Sequence, residues 1–250
     1  MRRLILILQF LTRIPLPTIE WRSDNNEFRD GIVYFPLVGF IVGLFIMLFY
    51  FLGNLLGGKL LASVAAVTSE AFITGGLHID GLADTFDGLY SNRSKDRILE
   101  IMKDSRIGTN GVLAILLTIL LKLSLIYQLP ESETFKILLL MPVFSRLGMV
   151  FASRYSKYAR ENGLGNVFIG QVNNKHVAGA VLISGLISLI HISSLLFIPI
   201  VFGFCLLYIK NIKEKIGGMT GDTLGALCEL SELVYLVFYS MVLYIGRLCY

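Results

Sequence analysis

The chain has 250 residues, of which 55% are apolar and 16% charged, and its mean hydropathy is +0.71. An ordinary soluble domain carries roughly 25% charged residues, and a soluble core cannot absorb this much apolar surface, so the expected solvent is a lipid bilayer. A net charge of +4 with no basic run excludes a nucleic-acid surface, and Cys205, Cys228 and Cys249 lie too far apart for a zinc or redox motif.

The N-terminal segment has an apolar core of only eight residues, 4–11. Arg13 ends it, Pro15 and Pro17 follow, and no small-residue cleavage site appears. A retained, short amphipathic or membrane-surface helix is expected rather than a signal peptide. Seven apolar segments follow: 32–52, 60–77, 111–129, 135–152, 177–192, 195–209 and 233–249. A span needs about 20 residues. The run 177–209 is too long for one helix, so it is divided near Ser193 and Ser194. No segment alternates strictly, and backbone in lipid favours continuous helices.

Charge tests this division. Loops 12–31, 78–110, 153–176 and 210–232 hold 15 Lys and Arg, whereas 53–59, 130–134 and 193–194 hold only Lys59. Cytoplasmic loops collect Lys and Arg, so the four large loops should face the cytoplasm. The expectation is an all-α polytopic membrane protein with about seven transmembrane helices, in a range of six to eight. Residues 1–250 form one domain of the cell membrane, and the C-terminus lies outside, although Arg247 runs against that last point.

The chemistry concentrates in "GGLHIDGLADTFDG", residues 75–88. Asp80, Asp84 and Asp87 are spaced i, i+4, i+7, which places them on one helix face. Like charges so placed repel, and hard oxygen ligands suit Mg²⁺ bridging to substrate phosphates. The plainer alternative is a solvated acidic face. Glu70 lies inside the preceding apolar segment, where an ionisable group is expensive. If the helix runs through Gly75 and Gly76, Glu70 joins the same arc as a metal ligand; otherwise it is an interhelical partner of Arg146 or Lys122. His78, beside three aspartates, should have a raised pKa and could serve as general acid or base.

In "EIMKDSRIGTNG", Lys103 and Arg106, with Asp104 between them, are candidates for holding substrate phosphate oxygens. In "GGMTGDTLGALCELSE", Asp222 and Glu229 are candidate ligands, and Thr220 and Thr223 candidate substrate contacts. The alternative there is a capped helix start. Gly75-Gly76-x-x-x-Asp80-x-Leu82 aligns with Gly217-Gly218-x-x-x-Asp222-x-Leu224, which suggests two half-sites around one metal–diphosphate cluster.

Those stretches, with "FLTRIPLP" and "NGLG", resemble the signature blocks of the cobalamin synthase family, the adenosylcobinamide-GDP ribazoletransferases. They run in order from Phe10 to Glu232, with Asn162 standing where the family's block is expected to have Asp. The resemblance implies an integral membrane enzyme late in coenzyme B12 assembly. Its partners would be the lipid bilayer, adenosylcobinamide-GDP, and α-ribazole or its 5′-phosphate, with release of GMP. Mg²⁺ is the implied cofactor, and homo-oligomerisation is left open. Asp80, Asp84 and Asp87 would hold metal, Asp222 and Glu229 a second ion or the ribazole, and His78 or a carboxylate would take the proton. The rival readings are a CDP-alcohol phosphotransferase, whose Ala-Arg after Asp-Gly is here Ala83-Asp84, a cation-coupled transporter built on Glu70, and a non-catalytic scaffold.

Overall fold

The computed structural model describes residues 2–17 and 25–248. Among these the structure is helical. In order come α1 (Arg2–Leu11), α2 (Asn25–Asp30), α3 (Phe35–Thr74), α4 (Leu77–Leu89), α5 (Lys95–Ile101), α6 (Thr109–Gln128), α7 (Glu131–Tyr155), α8 (Asn174–Ile187), α9 (Phe197–Ile216) and α10 (Gly221–Leu248). One isolated backbone bridge joins Tyr158 to Met219.

A straight α3 of 40 residues would be about 60 Å long, twice a bilayer's hydrocarbon core. It is not straight. Gly57 (φ −158°, ψ 21°) and Gly58 (φ 71°, ψ −169°) leave helical geometry. Gly58 sits in the positive-φ region that side chains avoid. The arms fold back on each other: a Cβ on Gly53 would lie 2.8 Å from the Ala62 Cα, nine residues on. The hairpin therefore supplies the first two apolar segments. Among the described residues, five helices are long and apolar enough to cross a membrane, this hairpin counting as one, and Asn174–Ile190 is a shorter apolar helix. The division near Ser193 and Ser194 is also present, as 3₁₀ turns over Ser188–Ile190 and Ile192–Leu196 between α8 and α9. Outward faces carry Leu56, Leu60, Leu117, Leu186 and Leu207 exposed, as lipid contact requires.

At the centre stands α7, buried on every side from Ile137 to Ser153. A helix apolar all round is a core helix. The first arm of α3 lies against it, backbone to backbone. A Cβ on Gly39 or Gly43 would sit 2.2 Å from the carbonyl oxygen of Pro142 or Leu139. Small residues at such crossings let helices pack closely where no hydrophobic force drives them together. At the hairpin end of the bundle, the Lys59 ammonium donates to the Leu129 carbonyl at the end of α6 and lies over Tyr127. At the opposite end, α1 buries Leu6, Ile7, Leu8 and Leu11, and packs against the start of α3. The helix α4 and the segment 156–173 gather there too.

Gly43→Ala should lower the thermal midpoint in detergent, with a loss of about 1–3 kcal/mol from overpacking. Gly203→Ala, where a Cβ meets open space, should leave the midpoint unchanged. Circular dichroism melts of the two variants check this.

Candidate active site

The site begins with two helix breaks. Gly75 (φ 63°) and Gly76 (φ 72°) are both left-handed and end α3 before α4 starts. Gly217 (φ 81°) ends α9 in the same way, shortly before α10. The two stretches that align in sequence are thus both helix–glycine–helix junctions. Their second helices cross at small residues. A Cβ on Gly81 would lie 2.7 Å from the Asp222 carbonyl oxygen, and one on Gly225 would lie 3.3 Å from the His78 Cα. Asp80 and Asp222 therefore come from facing helix starts.

A third element closes the site. Segment 156–173 is stitched to the start of α10 by Ala159 N–H to the Met219 carbonyl (2.9 Å) and Met219 N–H to the Lys157 carbonyl (2.8 Å). That brings Arg160 Nη2 to 2.8 Å from Asp222 Oδ2. A cavity of about 280 Å³ opens among these parts. Its lining includes His78, Asp80, Asp222 and Arg160 together with the aromatic rings of Phe10, Phe35 and Phe168. A second depression, about 390 Å³, flanks Asp80 on the side of Arg13, Gly75 and Ile107.

Asp84 lies one turn on from Asp80. Partial burial, then the charges of Asp80 and Asp222, push its carboxyl up to about 7. Three mutually repelling carboxylates, with Arg160 paired to one of them, form a donor set that fits a hard divalent cation. Among the described residues no group of three or more His, Cys, Asp or Glu side chains is arranged to hold an ion alone.

The other sequence candidates have different surroundings. Asp87 turns toward α6, accepting from Gly108 N–H (2.7 Å) and Gly111 N–H (2.8 Å), and so caps that helix's start. Asp104 pairs with Arg106 (2.7 Å), which holds its carboxyl down to about 2, and Lys103 is exposed beside them. Thr220 and Thr223 are buried and cap each other: Thr220 N–H donates to Thr223 Oγ1 (2.8 Å), and Thr223 N–H to Thr220 Oγ1 (3.2 Å). Their hydroxyls are engaged at the helix start, the capped-helix alternative for this stretch.

Glu70 and Glu229 also leave the aspartate set. The left-handed pair Gly75-Gly76 interrupts the helix, so the face of Glu70 is not continued into α4. Both glutamates instead meet Lys122 inside the bundle, Glu70 at 3.0 Å and Glu229 at 2.8 Å. Glu232 bonds to Lys122 and to Arg146, and Arg146 Nη1 lies 3.5 Å from Glu70. Each of these side chains is 5% exposed or less. The interhelical-partner alternative for Glu70 is the one the structure shows. The expected rise in the pKa of His78 is reversed: burial first, then the Arg146 charge, lower it to about 3.

Sequence reasoning missed Arg160, Tyr158 and Glu232. Arg160 counted only as loop charge, and Tyr158 carried no motif. The nearby Gly163 and Gly165, in the "NGLG" block, do line the cavity.

A family model described as cobalamin-5-phosphate synthase matches residues 3–240. The chain is 46% identical over 245 residues to an adenosylcobinamide-GDP ribazoletransferase of Alkaliphilus metalliredigens (strain QYMF), covering 97% of this chain and 96% of that one. It is 41% identical over 256 residues to a protein of the same name from Clostridioides difficile (strain 630), covering 98% and 99%. No solved structure matches.

Two outcomes separate scaffold from site. Lys122→Met leaves three buried carboxylates with Arg146 as their one cation and should cost about 3–5 kcal/mol, whereas Glu229→Gln, which leaves two carboxylates for two cations, should cost less in the same detergent melts. Thr220→Ala should cost about 1 kcal/mol as a lost cap while leaving the KM of either substrate unchanged; a large KM rise would contradict the capping assignment.

Proposed function

The chain belongs to the cobalamin-5-phosphate synthase family, and from that premise we propose that it joins adenosylcobinamide-GDP to α-ribazole, or to its 5′-phosphate, and releases GMP. The product is adenosylcobalamin or its 5′-phosphate, late in cobalamin biosynthesis. The observation that carries the reading at the level of the site is the meeting of Asp80, Asp84 and Asp222 beside a cavity with aromatic rings in its lining. A transporter built on Glu70 loses its basis, because that carboxylate is tied to Lys122 and Arg146.

A diphosphate adds negative charge to a site already rich in it, so the reaction needs a cation. Asp80 and Asp222 would hold Mg²⁺, with Asp84 beside them. When bound, that ion neutralises charge on the diphosphate. The remaining work falls to the protein's own groups. Phe10, Phe35 and Phe168 take the planar base of the ribazole, which sets its ribose against Asp80 and Asp222. A cavity of about 280 Å³ is at the small end of ligand pockets, roughly 300–1,000 Å³, so the corrinoid stays outside it. Lys103 and Arg106 are exposed cations on the same side, placed to hold GDP oxygens once Arg106 leaves Asp104.

A ribose hydroxyl oxygen forms a bond to the phosphorus that carries the cobinamide arm. The bridging P–O bond breaks, and GMP departs with that oxygen. Asp84 takes the hydroxyl proton; burial and its acidic neighbours give it a proton affinity suited to a base near neutral pH. Positioning and charge stabilisation supply most of the catalysis of phosphoryl transfer. The polar end of the bundle faces the cytoplasm, as its Lys and Arg content indicates.

The test is GMP release from adenosylcobinamide-GDP by the purified chain in lipid. Release should require both α-ribazole and Mg²⁺, and release that needs neither overturns the reading. Asp84→Asn should lower turnover about 100-fold or more. In spheroplasts, a cysteine placed at Ser132 should react with an impermeant maleimide and one at Ser105 should not; the reverse pattern contradicts the orientation.

A further inference from the structure

Five ionisable side chains meet inside the bundle on four helices: Glu70, Lys122, Arg146, Glu229 and Glu232. Four of them close a ring. Glu70 gives Oε2 to Lys122 and Oε1 to Arg146, and Glu232 gives Oε2 to Lys122 and Oε1 to Arg146. Ser145 Oγ donates to Glu232 Oε1 (2.9 Å) and accepts from Arg146 Nη1 (2.9 Å). The guanidinium is thereby fixed in orientation, not merely neutralised. Ionisable groups this deep in a membrane protein point to function, and the reaction above gives this ring none.

Among the described residues, Arg146 links the ring by a hydrogen bond to a residue that lines the cavity. Nη2 reaches past the ring to His78 Nδ1, at 3.4 Å. A guanidinium has donors and no acceptor, so Nδ1 must present its lone pair. A neutral imidazole then carries its proton on Nε2. His78 is 1% exposed, it lines the cavity with Asp80 and Asp222, and its Nε2 has no hydrogen-bond partner among the described residues. A buried N–H is rarely left unpaired without a purpose.

We infer that His78 is a neutral hydrogen-bond donor, through Nε2–H, to a substrate oxygen in the cavity, and that Arg146 is the positioning residue that selects this tautomer. The Glu70–Lys122–Glu232 ring exists to hold Arg146 in that pose. The histidine is then a fixed donor to developing charge and takes no proton from the attacking hydroxyl. This rests on the transfer reaction proposed above, but the tautomer itself is read on the protein alone.

The chain has three histidines, His78, His176 and His191, so the full chain labelled with ¹⁵N-histidine in detergent gives three imidazoles, assigned with His176→Gln and His191→Gln. The wild type should show His78 with a protonated Nε2 and a bare Nδ1. Arg146→Lys keeps a cation for Glu232 but loses the reach to Nδ1; it should give mixed tautomers and a kcat lower by about tenfold or more, with KM little changed. His78→Gln, whose amide nitrogen overlays Nε2, should retain more turnover than His78→Asn, whose amide overlays Nδ1. A protonated Nδ1 in the wild type overturns the inference, and so does Arg146→Lys losing turnover with the tautomer unchanged. The wild-type spectrum decides the tautomer even where a variant fails to fold. A wild type with the Nε2–H pattern that releases no GMP overturns the reaction and leaves the tautomer standing.

Discussion

The site depends on one close crossing. At Gly81 and Gly225 the helices α4 and α10 approach closely: a Cβ on Gly81 would overlap the Asp222 backbone at 2.7 Å, and one on Gly225 would crowd the His78 backbone at 3.3 Å. That contact brings two aspartate-bearing helix starts face to face, although they lie more than a hundred residues apart in sequence. Each helix start exists because a left-handed glycine, Gly75 or Gly217, ends the helix before it. Any side chain at either position would meet both backbone strain and a neighbour, Arg13 or Lys95. The electrostatics follow from the crossing: carboxylates from separate helices are held close enough that Asp80 and Asp222 raise the pKa of Asp84.

The same crossing divides the acidic residues into two populations. Asp80 and Asp222 line the cavity, Asp84 lies one turn on from Asp80, and the three are balanced only in part by Arg160. Glu70, Glu229 and Glu232 lie deeper and are balanced by Lys122 and Arg146. The first group is available to ligands because its compensation is incomplete. The second is structural because its compensation lies inside the protein, where losing a partner is costly. His78 lies next to the second group, with Nδ1 toward Arg146 and Nε2 without a hydrogen-bond partner among the described residues.

Much of this was legible in the sequence, for physical reasons that differ by element. Apolar length located the helices, and the loop 53–59 and the division near Ser193 and Ser194 fall at breaks because lipid-length runs must end somewhere. The alignment of the two glycine–aspartate stretches corresponds to two helix–glycine–helix junctions whose second helices cross at Gly81 and Asp222. What failed was extrapolation along a helix: Glu70 shares a face with Asp80 only if the helix continues, and two left-handed glycines stop it. His78 was misread because three nearby aspartates in sequence are not three nearby charges in space; burial and Arg146 dominate. Arg160 could not be singled out, because its partner Asp222 is reached only through the backbone pairing of Ala159 with Met219. The threonines and Asp87 show a third limit, since oxygen-bearing residues at helix starts serve caps as readily as ligands.

The central claim is that Asp80 and Asp222 act in one site, and a double-mutant cycle on GMP release measures it most directly. Asp80→Asn, Asp222→Asn and the double variant are compared with the wild type in single-turnover reactions. If the two carboxylates work as a unit, the double variant should be little worse than either single one, as groups acting together are strongly non-additive. Losses that multiply, so that their free energies add, would place the two aspartates in independent sites and contradict the account.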